Sequence, residues 1–339
     1  MSRHAIVIGA GVAGLATAVA LRDVGWSVEV HERAGGLPSG GTALGMWPEA
    51  MDALLRLGVD EPIRRFAAHS RGASILDPRG AVVGRIPARR SAHLVSRERL
   101  LSALLDRLPS DAVHWAHPVT APEDLPATDL VVGADGIRSR VRAQYWGRGA
   151  ERALGTVAFR GVLDRPADSV TETWGPGALF GLTPMDGRRT NWFACLRRGR
   201  AGDPGDDAVP VLRHAFSAWH PAVRTVVEEV EEVDVDRREL FDVSIPDRWV
   251  RGRVALVGDA AHAMAPNLGR GACESLLDAV SLARALDAEP DVRSGLLLYD
   301  RHRRPRGRRV VRAARMLNRV ATAERATRVR DAAVRLLMR

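Results

Sequence analysis

The sequence predicts an α/β fold: a Rossmann-like nucleotide-binding domain, carrying an inserted and mainly antiparallel β-sheet, and ending in C-terminal helices. Three observations predict it. An apolar strand at 4–8 runs into Gly9, Gly11 and Gly14, a G-x-G-x-x-G pattern at a strand-to-helix turn. From about residue 151 the texture changes to short strands at close spacing, with most of the aromatic residues among them. At 253–257 a buried strand returns, and helical patterns follow to the end.

Each glycine of the first motif has a physical task. Gly9 permits the tight turn. Gly11 lets the backbone approach a pyrophosphate, and Gly14 lets helix and strand pack closely. The helix opens at Val12 and Ala13, and its first N–H groups and dipole favour phosphate. A second strand at 27–32 ends in Glu32, 18 residues after Gly14, where a carboxylate can accept hydrogen bonds from a ribose diol. A glycine-rich loop at 35–45 leads to a helix at 48–57 with proline at its start. Residues 71–87 alternate around Asp77-Pro78-Arg79-Gly80, which predicts a β-hairpin. A helix at 97–108 carries apolar residues at 100, 101, 104, 105 and 108, and a buried strand at 129–133 ends in Ala134-Asp135-Gly136.

Within the insert, strands are expected at 154–162, 170–174, 178–183 and 190–196, with Met185-Asp186-Gly187 turning between two of them. Phe159, Trp174, Phe180, Trp192 and Phe193 gather there, which fits a sheet with one aromatic face. Helices follow near 208–219 and 222–231, then a strand near 235–244. After the strand at 253–257 come helices at 270–288 and 291–304. From 308 a basic amphipathic helix has Val310, Val311, Leu317, Val320, Val329, Val334 and Leu337 as its apolar stripe. It is expected to dock on the nucleotide-binding domain, with weak membrane-surface association as the alternative.

Composition narrows the function classes. The formal charge is +9, yet residues 301–339 alone hold 14 arginines against Glu324 and Asp331, so residues 1–300 are slightly acidic. A basic excess confined to one tail does not predict nucleic-acid binding. No apolar run predicts a transmembrane segment. Residues 2–21 mimic a signal peptide, but they make a better β-turn-α unit and no A-x-A-like site follows. Cys195 and Cys273, far apart, predict neither a disulfide framework nor a metal site, and a cytoplasmic setting is expected.

Three segments occur in a telling order: GAGVAG (9–14), GADGIRSRVR (133–142) and GDAAHAMAPNLGRGACESLLDA (258–279). Together they resemble the group A single-component FAD-dependent monooxygenases, the aromatic hydroxylases of the p-hydroxybenzoate hydroxylase-like fold. The resemblance covers nearly the whole chain. It implies FAD as cofactor and NADPH or NADH as transient co-substrate. Glu32 and Arg33 match the region of the adenosine ribose. Arg97 matches an R-x-x-L arginine that reaches the cofactor. Asp135 and Gly136, with Ser139 and Arg142, match the DG motif near the pyrophosphate. Gly258 and Asp259 match the GD motif, whose aspartate bonds the ribityl or ribose region. Pro266, Gly269, Gly271 and Ala272 match the loop and helix start at the flavin pyrimidine edge, where helix N–H groups stabilise the reduced anion.

The resemblance leaves the catalytic residues open. Arg270 stands where the family often has glutamine, and His262 is expected to serve structure before acid–base chemistry. The implied activity is hydroxylation or epoxidation of a small aromatic or polyene-like substrate, with O2, through a flavin C4a-hydroperoxide. An FAD-dependent dehydrogenase of the same fold without oxygen insertion is the alternative. Absence of a second G-x-G-x-x-G and of W-x-W-x-I-P separates the chain from Baeyer–Villiger enzymes and flavin halogenases. The expected FAD-binding domain comprises 1–70, 93–150 and 246–339, and the substrate domain 71–92 and 151–245. The aromatic sheet should roof the pocket, with Met46, Trp47, Phe159, Phe180 and Trp192 as lining candidates. A monomer or homodimer is expected.

Overall fold

Near-continuous apolar runs become the central strands of a parallel sheet, because helices cover such a sheet on both faces. The computed structural model describes residues 3–38, 42–69, 72–87, 92–121 and 125–338. The chain begins β1 (His4–Ile8), α1 (Val12–Asp23), β2 (Ser27–His31), β3 (Ala43–Met46), α2 (Pro48–Arg56), α3 (Asp60–Phe66) and β4 (Ala68–His69). Next come β5 (Gly72–Leu76), β6 (Val82–Pro87), β7 (His93–Ser96), α4 (Arg97–Leu105), β8 (Val113–His114), β9 (Leu130–Gly133) and α5 (Arg140–Trp146). The insert contains β10 (Glu151–Leu163), β11 (Val170–Gly175), β12 (Ala178–Met185), β13 (Arg189–Arg197), α6 (Ala208–Phe216), α7 (Pro221–Glu229) and β14 (Asp236–Val243). The chain closes with β15 (Val250–Arg251), β16 (Val254–Leu256), α8 (Asp259–His262), α9 (Gly271–Ala288), α10 (Val292–Ala321) and α11 (Thr327–Leu337).

Six strands form the first sheet, in the order β15-β16-β9-β1-β2-β8. β1 lies parallel between β2 and β9, and Ala5, Ile6 and Val7 are fully buried there. The insert forms a seven-stranded sheet, β14-β10-β13-β12-β11-β5-β6. The predicted hairpin β5–β6 joins it through parallel pairing of β5 with β11. A small sheet, β3-β7-β4, takes in β3 at the end of the segment expected as a glycine-rich loop. β3 and α3 were not foreseen from the sequence. No helix among the described residues is long and apolar enough to cross a membrane.

The C-terminal helices differ from expectation. Helix α10 runs unbroken through Pro305 to Ala321, and α11 begins after Ala326, which is in left-handed conformation. Proline removes one helix hydrogen bond, yet the helix continues past the exposed Pro305, with Gly295 and Gly307 closely seated on either side of it. A Cβ on Gly307 would lie 2.6 Å from the Trp249 ring, and one on Gly295 would lie 2.8 Å from the Ala285 carbonyl. The second half of α10 then leaves the parallel sheet for the insert. Arg315 Nε donates to Asp242 at 2.6 Å, and Asn318 Nδ2 donates to Thr156 Oγ1 at 3.3 Å. α11 follows it there. A Cβ on Gly84 of β6 would meet the Met338 sulfur at 2.8 Å and Val334 at 3.0 Å.

Candidate functional site

Close packing between short residues draws the three motifs together. Gly9 has φ +107°, and a Cβ there would lie 2.5 Å from the Ala134 carbonyl oxygen and 3.2 Å from the Asp135 Cα. Gly258 has φ +59°, and its Cβ would lie 2.6 Å from that of Ala13. The Asp135 and Asp259 segments are therefore both seated against the glycine loop. A Cβ on Gly14 would come within 1.8 Å of the Gly9 carbonyl oxygen. Gly11 is different: its φ is −76°, and a Cβ there would meet nothing within 4 Å. The chain's own atoms explain Gly9 and Gly14 but not Gly11. What Gly11 keeps clear is the space before the N-terminus of α1, where Val12 and Ala13 begin the helix.

Glu32 lies beside this loop. Its carboxylate accepts from the Ala10 amide at 2.8 Å and the Ala34 amide at 2.9 Å, and Arg33 is exposed next to it. Asp135 Oδ2 accepts from the amides of Arg140 (2.6 Å) and Val141 (3.2 Å) and so caps α5, while its buried Oδ1 has no hydrogen-bond partner. Gly136 adopts φ +80°. Ser139 accepts from the Arg142 amide at 2.8 Å. Arg142 itself is buried. It donates to the Ala260 carbonyl (2.8 Å), the Ile137 carbonyl and Glu151 (2.9 Å), joining α5 to α8 and β10. Asp259 is exposed at the first turn of α8.

The far end of the site is the turn Pro266–Leu268, followed by Gly269 with φ +59°, Arg270, and Gly271 and Ala272 at the start of α9. Strand β3 lies against it. Gly45 approaches the Gly269 carbonyl, and Cys273 Sγ donates to the Gly45 carbonyl at 3.0 Å. Two buried polar atoms in this region lack partners, Trp47 Nε1 and Asn267 Oδ1. Arg97 is exposed at the start of α4, its amide donating to the Thr42 carbonyl at 3.3 Å beside β3.

Arg270 does not present a free charge. Its Nε donates to Glu274 at 3.1 Å, and Glu49 lies 3.9 Å away. Behind it runs a buried ionic chain. Arg303 donates to Glu274 (2.7 Å) and to Asp278 (2.7 Å), and Asp278 accepts from the Gly258 amide (2.8 Å) and pairs with His262 Nε2 (2.6 Å). His262 is fully buried, with the Trp249 ring centroid 5.1 Å from its own. Burial opposes its charge, but Asp278 outweighs burial and raises its pKa. Burial likewise works against the Asp278 carboxylate, and His262 with Arg303 overcomes it and lowers that pKa. The chain ties the Arg270 loop to the Gly258 turn. Glu274, Asp278 and Arg303 were not singled out from the sequence, although two acids four apart on an apolar helix face are a visible signal.

The aromatic pocket candidates need correction. Phe159, Phe180 and Trp192 are at most 1% exposed and pack under α6 and α7. Phe180 stacks on Trp192 at 5.8 Å and meets Phe216 edge-on at 5.1 Å. Met46 is likewise fully buried in the core around the parallel sheet. Side chains alternate along a strand, so the opposite sheet face is lined by other residues. Register aligns Glu172, Gly181, Phe193, Arg160 and Asp236 across five strands. Phe193 is partly exposed, and its ring covers Gly181, where a Cβ would lie 2.1 Å from the Phe193 Cζ. Arg160 Nε donates to Asp236 at 2.7 Å. Glu172 accepts from Trp174 Nε1 at 2.9 Å, and burial raises its pKa despite that bond. Asn191, two residues before Phe193 and on the same face, accepts from the Ala43 amide at 3.4 Å. That contact sets this face beside β3 and hence near the Gly269 turn.

Residues 126–314 match the model of a family described as FAD binding domain. The chain is 34% identical to aurachin C monooxygenase/isomerase of Stigmatella aurantiaca over 87% of this chain and 83% of that one. It is 33% identical to 3-amino-4-hydroxybenzoate 2-monooxygenase of Streptomyces cremeus, over 92% and 86% respectively. Among solved structures, Klebsiella pneumoniae HpxO complexed with FAD and uric acid superposes with a TM-score of 0.90 at 28% identity, covering 99% of this chain and 92% of that one.

Proposed function

The chain belongs to the FAD-dependent aromatic monooxygenases, and from that premise we propose which of its residues hold the cofactor and what kind of aromatic molecule it oxidises. The fit to FAD rests on features the chain's own atoms leave unexplained: the cleared space at Gly11, the orphaned Asp135 Oδ1, and the unpartnered Trp47 Nε1 and Asn267 Oδ1. Gly9–Gly14 and Glu32 with Arg33 take the adenosine and pyrophosphate end. Asp135, Gly136, Arg97 and Asp259 flank the middle. Pro266 and Gly269 shape the loop, and Gly271 and Ala272 offer backbone N–H groups and the positive end of α9 to the ring system. When bound, FAD supplies the redox and oxygen chemistry, with NAD(P)H as reductant and O2 as oxidant. The protein's part is to bind, orient and keep water out. The body at 1–70, 93–150 and 246–339 holds FAD, and 71–92 with 151–245 forms the substrate lobe. Two buried free thiols, Cys195 and Cys273, suit a cytoplasmic setting.

The observation that carries the substrate reading is the row Glu172–Gly181–Phe193–Arg160. Phe193 provides a flat platform because Gly181 leaves its ring no Cβ to climb over. A half-buried carboxyl stands on one side and a guanidinium on the other, three strand spacings apart, about 14 Å at the backbone. This wall suits a small planar aromatic that stacks on Phe193, donates a hydrogen bond towards Glu172 and turns a carbonyl or anionic group towards Arg160. Arg270, held by Glu274, sets the position of its loop.

The test is substrate-stimulated NADPH oxidation and oxygen uptake on FAD-loaded enzyme, with products read by mass spectrometry. The panel consists of aromatics carrying a ring N–H or amino donor, an acceptor, both, or neither. Molecules with both should give the lowest KM and a product heavier by one oxygen. Equal KM across the panel would overturn the substrate reading. NADPH oxidation that yields only peroxide with every member would overturn oxygen insertion into this class.

A further inference from the structure

A second cluster lies on the far edge of the parallel sheet, outside everything described above. Glu29 and His31 stand two apart on β2 and so share a face. His114 on the edge strand β8 is the direct register partner of His31. His31 Nε2 lies 3.6 Å from Glu29 Oε2, and His114 Nε2 lies 3.9 Å from the same oxygen. One ligand atom from each of the three residues lies within 4.8 Å of the others. Behind them, His31 Nδ1 is 2.9 Å from His117 Nδ1, and the second Glu29 oxygen is 3.3 Å from His4 Nε2.

From these distances the geometry points to a binding site for a divalent transition-metal ion of the zinc class, ligated by Glu29, His31 and His114. Two imidazole nitrogens and one carboxylate oxygen are a ligand set for such ions. Metal–ligand bonds of about 2.0–2.1 Å place neighbouring ligand atoms of a tetrahedron about 3.3 Å apart, so closure asks for shifts of about 0.3 to 0.6 Å at the two Glu29 contacts and at most about 1.5 Å between the two imidazoles. The exposed His114 ring can supply them, and its open side leaves room for water as a fourth ligand.

Two further features favour an ion over a hydrogen-bonded cluster. The Nε2 of His31 is buried yet makes no hydrogen bond, since 3.6 Å to Glu29 is too long for one. In the tautomer where His31 Nδ1–H donates to His117, the Nε2 lone pair faces a carboxylate, an arrangement a cation between them makes favourable. Donation from the second ring nitrogen of a ligand histidine is also the usual outer support of such sites. The expectation that the chain lacks a metal site came from its two cysteines. Histidines 83 residues apart, joined only by strand pairing, gave no sequence signal.

Backbone bonds connect the cluster to the cofactor loop. The Gly9 amide donates to the His31 carbonyl at 2.8 Å, the Glu32 amide to the His114 carbonyl at 3.0 Å, and the His117 amide to the Glu32 carbonyl at 2.8 Å. An ion here fastens the short edge strand β8 to β2, beside the carboxylate proposed for the adenosine ribose.

The experiment uses full-length, FAD-loaded protein without a histidine tag, stripped with chelator and titrated with Zn2+ against a chromogenic zinc indicator. The expected result is one equivalent bound at micromolar or tighter Kd, weakened at least about 10-fold by His31→Ala and by His114→Ala. His214→Ala, an exposed histidine on α6, should leave it unchanged. Circular dichroism and flavin absorbance check that the variants remain folded and loaded. Zinc binding no tighter than millimolar, or tight binding indifferent to both His31→Ala and His114→Ala, would overturn the site. Anomalous diffraction at the zinc edge, placing the ion elsewhere, would do the same.

Discussion

The two faces of the seven-stranded sheet are built from the same strands and serve opposite ends. One face, through Phe159, Phe180 and Trp192, packs onto Phe216, Trp219 and the apolar side of α6 and α7. The other, one residue out of step, carries Glu172, Phe193 and Arg160, and further along the same strands Ala158, Leu179 and Cys195 pack with Leu317 and Ala321 of α10 and Val334 of α11. Trp192 and Phe193 are neighbours in sequence, yet one is sealed in a core and the other keeps exposed surface. On the covered face every residue is explained by protein atoms. On the other, Glu172 and Arg160 flank the partly exposed Phe193 ring in register. The same division separates Gly14 from Gly11. Substitutions that distinguish stability from ligand binding therefore test which face, and which glycine, belongs to which purpose.

The largest effect is expected on the covered face. Trp192→Ala removes a fully buried ring stacked on Phe180 and should destabilise the protein by about 3–5 kcal/mol. Chemical denaturation reads this directly. The KM of whatever remains folded should be unchanged, and a raised KM at full stability would return Trp192 to the pocket. Next comes Gly11→Ala. Because its Cβ meets no protein atom, the FAD-free protein should melt as the parent does. FAD should bind at least about 10-fold more weakly, or about 1.4 kcal/mol. Fluorescence titration measures the affinity. A melting point lowered as far as that of Gly14→Ala, whose Cβ would strike the Gly9 carbonyl, would show that Gly11 also serves packing.

What could be read from the sequence follows from distance along the chain. The glycine triplet, Asp135-Gly136 and Gly258-Asp259 are local patterns, and the parallel sheet and insert followed from local periodicity. The face of an aromatic residue is not local. Trp192 and Phe193 must point opposite ways, but which way is the cleft depends on where α6 and α7 fold back, more than ten residues later. The β10 strand adds an irregularity between Ala153 and Val157, which breaks any parity count from its start. Arg303 was hidden for another reason: it is one arginine among many in 301–309, and only packing shows that it bridges Glu274 and Asp278. The helix expected at 291–304 and the one expected from 308 are one helix in the structure: α10 continues through Pro305 to Ala321, with Gly307 seated tightly on Trp249.

Phe193→Ala should reverse the pattern of Trp192→Ala. The ring is partly exposed, so its loss should cost less stability than that of Trp192. Loss of a stacking surface worth about 0.5–1.5 kcal/mol should raise KM for the aromatic substrate by up to about 10-fold. Steady-state kinetics at saturating NADPH decides it. If Phe193→Ala and Trp192→Ala change KM alike, the two faces do not divide as drawn.

Glu172→Gln is the smallest and the most selective change. Burial holds the Glu172 carboxyl above its ordinary pKa of 4.5 in the folded protein, with the Trp174 bond working the other way. A carboxyl raised on folding favours the native state fully at pH below its unfolded value. That contribution is lost as pH rises towards and through the folded value. Glutamine keeps the acceptor for Trp174 but cannot ionise. Its stability relative to the parent should therefore grow as pH rises from about 4.5 and level off once Glu172 has ionised in the folded state. Thermal melts of both proteins across pH 4 to 9 measure the difference. The substrate should also lose its preference for a hydrogen-bond donor, since glutamine can donate as well as accept. A parent-minus-variant difference that is flat with pH would remove Glu172 from the ionisable wall and leave Phe193 and Arg160 to define it.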